Sequence, residues 1–468
     1  MKKLMAVICI AALLGSLAGC SGTQAPGSTA DVSSPGTESS QTSGAGSEKA
    51  SYEGMEIRVL CVTGQFTPNL EEHLPEFQEQ TGINVNLEQY AEAQLHQKCV
   101  TEFLAGNSTA DALTLNPTTN LLAYTKNNWL EPLDSYVSDP EKTGDWDWAD
   151  FTPGTFPRCY YKDTLYAIPV LGGRSAMFYR TDILEEHGLE PPKTYDELLA
   201  VCQKVTDPDK NIYGIGMRGE KSALTSQLSR FIYSFGSSFI DEGVCQFDTP
   251  ESVEAVRFYG NLLGNYAPPG ILSCGYNQMA QLFNTGQVVL LIEAAVLLPS
   301  ITDPAESQYA DCVGVAPVPA GPDGIQEANM NTWSAAVYSG SKNKDAAWEF
   351  VKFATSKENI SQNMLNGLLG YRQSVLEDKE IQEQVFPNLL NVYKIYNEDK
   401  TARNIDGLPI MTSVTEARDV MGEAVVYSIE TKGEGPELEA KMKDATQKVN
   451  ELLKADGEYG KDYPFGLD

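Results

Sequence analysis

Residues that would commit this chain to catalysis are scarce. There is no HExxH, no GxSxG, no phosphate-loop GxxxxGK, and no GxGxxG after a strand-like run. Gly214-Ile215-Gly216 begins like a dinucleotide loop and lacks the third glycine. A metal site needs clustered His, Cys or carboxylates, yet the chain holds three His. His73, His96 and His187 each fall in a polar helical segment and read as surface residues. With 64 Asp plus Glu, carboxylate pairs occur at every spacing and say nothing for or against a glycosidase pair. Of nine Cys, Cys9 lies in the N-terminal leader and Cys20 directly follows it, which leaves Cys61, Cys99, Cys159, Cys202, Cys245, Cys274 and Cys312. None forms a CxxC, and an odd number leaves at least one unpaired. Cys61 in an apolar run and Cys202 on an apolar helical stripe read as buried thiols. No cofactor and no metal ligand set is expected. The chemistry left to the chain is non-covalent: aromatic faces and hydrogen-bonding side chains.

Charge narrows the partners. Lys plus Arg is 34 against 64 acids, a formal net charge of −30 over 468 residues. An acidic surface repels phosphate backbones, so no nucleic acid is expected. It also disfavours docking on anionic lipid through basic residues. The N-terminus, MKKLMAVICIAALLGSLAGC, has a basic start, a short apolar run and small residues before a cysteine. That is a secretory signal, too short for a spanning helix. Leu17-Ala18-Gly19-Cys20 resembles the bacterial lipobox, which implies cleavage before Cys20 and a lipid on its sulfur. The mature chain would lose two Lys and carry −32 (32 − 64). Ser21 to Ala50 is rich in Ser, Thr and Gly with a single Val and no aromatic residue. It cannot bury enough apolar surface to offset its ordering entropy and reads as a tether reaching roughly 30 Å.

The body alternates strands and helices. Ile57 to Val62 reads as a buried strand, Pro68 to Gln80 as a helix ended by Thr81-Gly82, and Ile83 to Leu87 as a period-two strand. A helix over Ala93 to Ala105, a strand over Ala112 to Leu115 and a helix over Leu121 to Lys126 follow. This order implies a parallel α/β layer. Thr194-Tyr195-Asp196-Glu197 has the spacing of a capping box. Thr249-Pro250-Glu251 supplies a cap, a first-turn proline and a favourable acid. Leu438, Met442, Ala445, Val449 and Leu452 make one apolar face near the C-terminus.

Several blocks then carry a resemblance. They are Ala167-Ile168-Pro169-Val170; Met177-Phe178-Tyr179-Arg180-Thr181-Asp182-Ile183-Leu184; Gly188 to Leu198 (GLEPPKTYDEL); Phe283 to Val288 (FNTGQV); Gly314 to Pro322 (GVAPVPAGP); and Ser341 to Phe353 (SKNKDAAWEFVKF). In order and spacing they are similar to the family 1 extracellular solute-binding proteins of ABC importers, the group that includes maltose-binding protein. The resemblance spans Glu56 to Asp468. It implies an α/β fold of two lobes with a hinge and an interlobe ligand cleft that closes on the solute. Crossings are expected near Ala167–Pro169, Ala316–Pro319 and Gly370–Arg372. The expected organisation is 1–19 signal peptide, 20–52 lipidated Cys and tether, 53–167 plus 318–369 first lobe, and 168–317 plus 370–468 second lobe.

Ligand contacts are expected where strands end on the cleft. Gln65 and Phe66 follow the first strand, Asn116 follows the strand ending at Leu115, and Glu293 ends the run Val288 to Ile292. Arg174 follows Gly172-Gly173 after the first crossing. The resemblance adds Tyr233, in a segment that supplies cleft aromatics, and Trp333, after the second crossing, as a stacking platform. It also exposes a departure. Where maltose-binding relatives carry a Gly-Pro-Trp-like turn, this chain reads Glu293-Ala294-Ala295-Val296. One platform is lost, and Glu293 is free to accept hydroxyl hydrogen bonds or to pair with a cation. The reading is a lipid-anchored, monomeric, non-enzymatic receptor that hands a mono- or oligosaccharide to ABC permease subunits. A polar or cationic non-sugar solute, and an extracellular carbohydrate-active enzyme, stay open as alternatives.

Overall fold

A computed structural model of the chain describes residues 52–64, 66–151, 157–385, 390 and 402–461. The leader, the tether, Cys20 and Gln65 lie outside the described residues. The first elements are β1 (Met55–Val62), α1 (Thr67–Thr81), β2 (Ile83–Tyr90), α2 (Glu92–Ala105), β3 (Ala112–Leu115) and α3 (Pro117–Lys126). Then come β4 (Ile168–Arg180), α4 (Tyr195–Val205), β5 (Tyr213–Gly216), α5 (Lys221–Ser234), α6 (Pro250–Tyr266), α7 (Tyr276–Asn284), β6 (Val288–Ala294) and β7 (Val313–Ala316). The chain ends with β8 (Gln326–Val337), α8 (Lys344–Ala354), α9 (Lys357–Leu365), β9 (Ala402–Asp406), α10 (Val414–Glu430) and α11 (Leu438–Ala455). Shorter turns and hairpins are named by residue.

Local signals explain most boundaries. Pro68 opens α1 and Gly82, at φ 80°, ends it in the left-handed region. Thr249 Oγ1 accepts the Ser252 N–H at the start of α6. The capping box at α4 forms by half. Thr194 Oγ1 accepts from Glu197 N at 3.2 Å, while the Glu197 carboxylate turns to Lys193 N at 2.7 Å rather than to Thr194. On α11 the fully buried residue of the last turn is Leu453, with Leu452 half-buried beside it.

The strands make one crossed sheet in the order β2-β1-β3-β8-β4-β6-β5, with β7 added to β4 and β9 to β8. β1 pairs parallel with β2 and β3, and β6 pairs parallel with β5. The long strands β4 and β8 run antiparallel to each other, to β6 and to β3, with β9 joining β8 in parallel, and they stitch the two halves together. Among the described residues two large apolar cores lie on this frame, with a small third cluster of Ile360, Met364, Val375, Ile381 and Val385. The first gathers residues between 57 and 171 and between 333 and 371; the second gathers residues between 176 and 318, Leu369, and residues between 408 and 453. Within β4 the changeover falls between Leu171, in the first core, and Ala176, in the second. Gly172 is required there, because a Cβ would run into the Tyr371 ring.

The first crossing, between Leu171 and Ala176, falls a few residues past Ala167–Pro169, and the other two differ further from the positions read off the sequence. Val318 packs in the second core and Ala320 bridges to Thr194, so the chain has not crossed at Ala316–Pro319. It crosses inside β8. Asn329 is bonded to Ser226 and Ser229 of α5, and Trp333 is already in the first core. Nor does the chain leave the first lobe at Gly370–Arg372. The Arg372 guanidinium is buried and donates to Trp146 O, Thr355 O (2.9 Å) and Asp150 (3.0 Å), and Ser374 N donates to Asp150 at 2.7 Å. A buried arginine satisfied by first-lobe carbonyls holds this segment on that side. The second core resumes at Leu408.

Five of the seven thiols are buried and all seven are free. Burial pushes Cys99 and Cys159 up to about 12. Among the described residues no helix is long and apolar enough to cross a membrane.

Candidate functional site

The crossing strand β4 sets the floor of the site. Along it, Leu171 faces Trp333 of β8, Arg174 faces Met330, Ser175 faces Ala294 and Ala176 faces Glu293 of β6. Five positions of extended strand, about 17 Å, therefore separate the Trp333 register from the Glu293 register.

Glu293 is the centre of the second-core side. Its carboxylate is 1 % exposed, which is expensive for a charge unless it is paired and hydrogen-bonded. Arg218 Nε donates to Oε2 at 2.8 Å, Gln227 Nε2 lies 3.3 Å from the same oxygen, and Ala294 N donates to Oε1 at 2.7 Å. Arg218 follows the C-terminal end of β5, and Glu293 lies near that of β6, so two parallel strand ends bring the pair together. Burial pulls Arg218 down, but the adjacent Glu293 prevails and its pKa is raised. Arg230 of α5 adds a second buried guanidinium, donating to Ser175 Oγ at 3.0 Å. Tyr276 and Tyr259 close the cluster. Burial raises both phenols well above their usual range, and both feel Glu293 and Arg218.

The first lobe supplies the opposing wall. Glu92, at the start of α2, acts electrostatically on Arg218 and on Arg418 of α10. Burial lowers Arg418 from the ordinary guanidinium value. Behind Glu92, Asn120 Oδ1 accepts from Asn116 N at 3.2 Å, which turns its amide nitrogen to His96 Nδ1 at 3.0 Å. Tyr124 Oη lies 3.0 Å from the same ring nitrogen. His96 Nδ1 is thus an acceptor and the ring is neutral; burial lowers its pKa, partly opposed by Glu416 of α10. At the rim, Lys126 of α3 donates to Glu458 Oε1 at 2.5 Å, Thr412 Oγ1 at 3.1 Å and Asp456 O at 3.3 Å.

The residues expected at the site separate on this frame. Glu293 and Arg174 sit on or beside the crossing, Arg174 being 5 % exposed. Trp333 is 2 % exposed at the first-core end of the crossing, and its indole N–H has no partner among the described residues. Asn116 caps α3, accepting from Thr118 N at 3.1 Å. Tyr233 is half-buried near the end of α5. Phe66 is fully buried in the first core at the start of α1. The three His are half-buried rather than exposed: His73 and His187 bond the carbonyl four residues back, and His96 faces Tyr124. Arg218, Gln227, Arg230 and His96 were not anticipated. Arg218 obeys the strand-end rule that picked Glu293, so the rule applied evenly would have found it.

The cluster mixes fixed donors with fixed acceptors. Guanidinium N–H groups donate, and the Glu293 carboxylate accepts. Gln227 Oε1 and Tyr259 Oη are buried with no partner among the described residues. A buried group left so costs about 1–3 kcal/mol, and a ligand bearing many hydroxyls, each donor and acceptor at once, relieves it. Among the described residues no group of His, Cys, Asp or Glu is placed to hold a metal ion.

Comparison with known proteins fits this geometry. A family model for bacterial extracellular solute-binding proteins matches residues 63–360. A mannitol-binding protein of Pseudomonas aeruginosa is 31 % identical over 271 residues, 56 % of this chain and 60 % of its own length, so the match spans less than two thirds of that relative. An erythritol/L-threitol-binding protein of Mycolicibacterium smegmatis is 26 % identical over 365 residues, 74 % of this chain and 76 % of its own. Among solved structures, an ABC transporter solute-binding protein from Agrobacterium vitis with bound D-mannitol superimposes with a TM-score of 0.73 at 26 % identity, covering 88 % of this chain and all of that one.

Proposed function

This chain belongs to the bacterial extracellular solute-binding proteins, and on that premise we propose that it captures a sugar or sugar alcohol between its lobes and delivers it to an ABC importer. The carrying observation is the buried Glu293–Arg218–Gln227 cluster on the crossing, an array of donors and acceptors suited to hydroxyl groups. The polyol ligands of its relatives support the same class. A cationic solute is disfavoured, because Arg218 already neutralises Glu293. Arg174, Trp333 and Tyr233 complete the proposed ligand shell, with Asn116 behind it. The two lobes are the first-core and second-core halves joined through β4 and β8.

Around this core we place the sequence-level features. Cys20 carries the lipid, the Ser/Thr/Gly stretch is the tether, and the body works outside the cytoplasmic membrane beside permease subunits. The protein binds and releases its cargo without turnover.

Calorimetric titration and thermal shift of the 21–468 protein test the reading, with D-mannitol, ribitol, erythritol and hexoses against polyamines and amino acids. A ligand at a hundred times its dissociation constant adds about 2.7 kcal/mol of stability. A shift with a polyol or sugar, recovered chemically unchanged, is expected. A shift confined to amines or amino acids, or turnover of a glycoside, would overturn it. Cys20→Ser is expected to move the protein from the membrane fraction to the medium.

A further inference from the structure

Lys461 lies across the turn of a tight hairpin formed by Ile240–Asp241 and Val244–Cys245. Gly460 N donates to Gly243 O, in that turn, at 3.1 Å. A Cβ on Gly243 would come within 2.5 Å of Lys461 N and 2.7 Å of Lys461 O and Glu458 O. Only glycine lets the two backbones meet this closely, and Gly243 also takes the left-handed turn position at φ 70°. These contacts fix the point from which residues 462–468 set out.

That point is the edge of a cavity of about 110 Å³, of which Gly243 is one wall. Its floor is Tyr233, at the end of α5, packed edge-on against the buried Phe239 with ring centroids 6.4 Å apart. Ile240 and Ile410 flank it, and Asp241 and Glu242 stand at its rim. Tyr233, Ile240 and Ile410 are half-buried, so three side chains leave apolar surface in water there. A cavity on the order of 150 Å³ takes one benzene ring, while a pocket for a whole small ligand is about 300–1,000 Å³. The space is that of one aromatic side chain.

The residues after Lys461 supply such a side chain. They read Asp462-Tyr463-Pro464-Phe465-Gly466-Leu467-Asp468. Extended chain advances about 3.3 Å per residue, so Phe465 has a reach of about 13 Å from Lys461. Pro464 limits its own backbone and that of Tyr463, which lowers the entropy cost of ordering the segment. Asp462 is repelled by the rim carboxylates, whereas the Phe465 ring gains by leaving water. We infer that residues 462–468 fold back over the hairpin turn as a strap and seat Phe465 in the cavity against Tyr233, Ile240 and Ile410. The strap ties the hairpin to the segment around Ile410 and covers Tyr233 from the cavity side. It does so whatever solute the protein carries.

Methyl NMR of the isoleucine-labelled 21–468 protein tests this. Phe465→Ala leaves every described contact in place and removes the ring. The δ1 methyls of Ile240 and Ile410 should both shift, while that of Ile57, in the first core, stays where it is. Nuclear Overhauser contacts from aromatic protons to the Ile410 methyl should be lost in the same variant. The amides of the 240–245 hairpin should exchange about tenfold faster, equivalent to about 1.4 kcal/mol. Unmoved Ile240 and Ile410 methyls in Phe465→Ala would overturn the strap. Shifts of equal size from Tyr463→Ala or Leu467→Ala would overturn Phe465 as the occupant.

Discussion

Glu293 illustrates how one residue couples stability to recognition. A carboxylate that is 1 % exposed persists because Arg218, Gln227 and the Ala294 N–H all point at it. Glu293→Gln keeps the shape and removes the charge, leaving a mostly buried guanidinium uncompensated. Loss of about 2 kcal/mol is expected in urea unfolding, together with weaker ligand binding. Arg218→Met should cost a similar amount, and the double variant less than the sum; additive losses would show that the pair does not act as one. His96 makes a pH prediction. Its folded pKa is depressed by burial, so the stabilisation is full above the unfolded value near 6.5 and is lost as pH falls through the folded value. His96→Gln should flatten the melting temperature as pH falls below about 6.5; an unchanged slope would remove His96 from the account. Of these residues the sequence disclosed Glu293, because a strand end is visible in an apolar run. It did not disclose Gln227 or Arg230, because their facing partners, Glu293 and Ser175, lie 66 and 55 positions away.

Elements read well from the sequence where local rules decide them. The apolar run of β1, the Gly82 stop of α1 and the Thr249 cap of α6 are local and hold. The crossings are tertiary. Gly172-Gly173 looks like a break, yet β4 runs unbroken for 13 residues because Tyr371 fills the space a side chain would take. β8 is polar in its middle because Asn329 is tied to α5 and Thr332 to the Tyr371 hydroxyl, contacts invisible along the chain. A charged triad gives this scale its own test. Arg58 of β1 donates to Glu88 of β2 at 2.7 and 2.9 Å and to Glu102 of α2 at 2.8 and 2.9 Å, binding two strands and a helix. Those hydrogen bonds hold both carboxyls down to about 2, against an ordinary 4.5. Depressed carboxyls stabilise fully above the unfolded value and lose that contribution as pH falls towards the folded one. The melting temperature should therefore drop between about pH 4.5 and 2, and Arg58→Met should lower it at pH 7 while shrinking the drop. A variant whose acid limb parallels the parent would show that the triad is not its source.

At the scale of the whole molecule, the lobes meet through a few contacts that any opening must break. Lys126 ends α3 on the first lobe, while Glu458, Asp456 and Thr412 belong to the C-terminal segments of the second. Glu458 is 4 % exposed and also accepts from Thr412 N at 3.1 Å, so its carboxylate is held in place before Lys126 arrives. A contact made only when the lobes are together favours the closed state, and a ligand that binds that state gains apparent affinity from it. Lys126 is about one third exposed, which keeps the worth of the clasp near 1 kcal/mol after screening. Lys126→Met should thus speed ligand release about fivefold and weaken affinity by a similar factor, with little change in the melting temperature of the unliganded protein. Salt discriminates the cause. Raising sodium chloride from low to physiological strength and beyond should speed release from the parent protein and leave the variant nearly unchanged. Stopped-flow release rates read both effects, and equal salt dependence in the two proteins would show that Lys126 and Glu458 do not hold the lobes together.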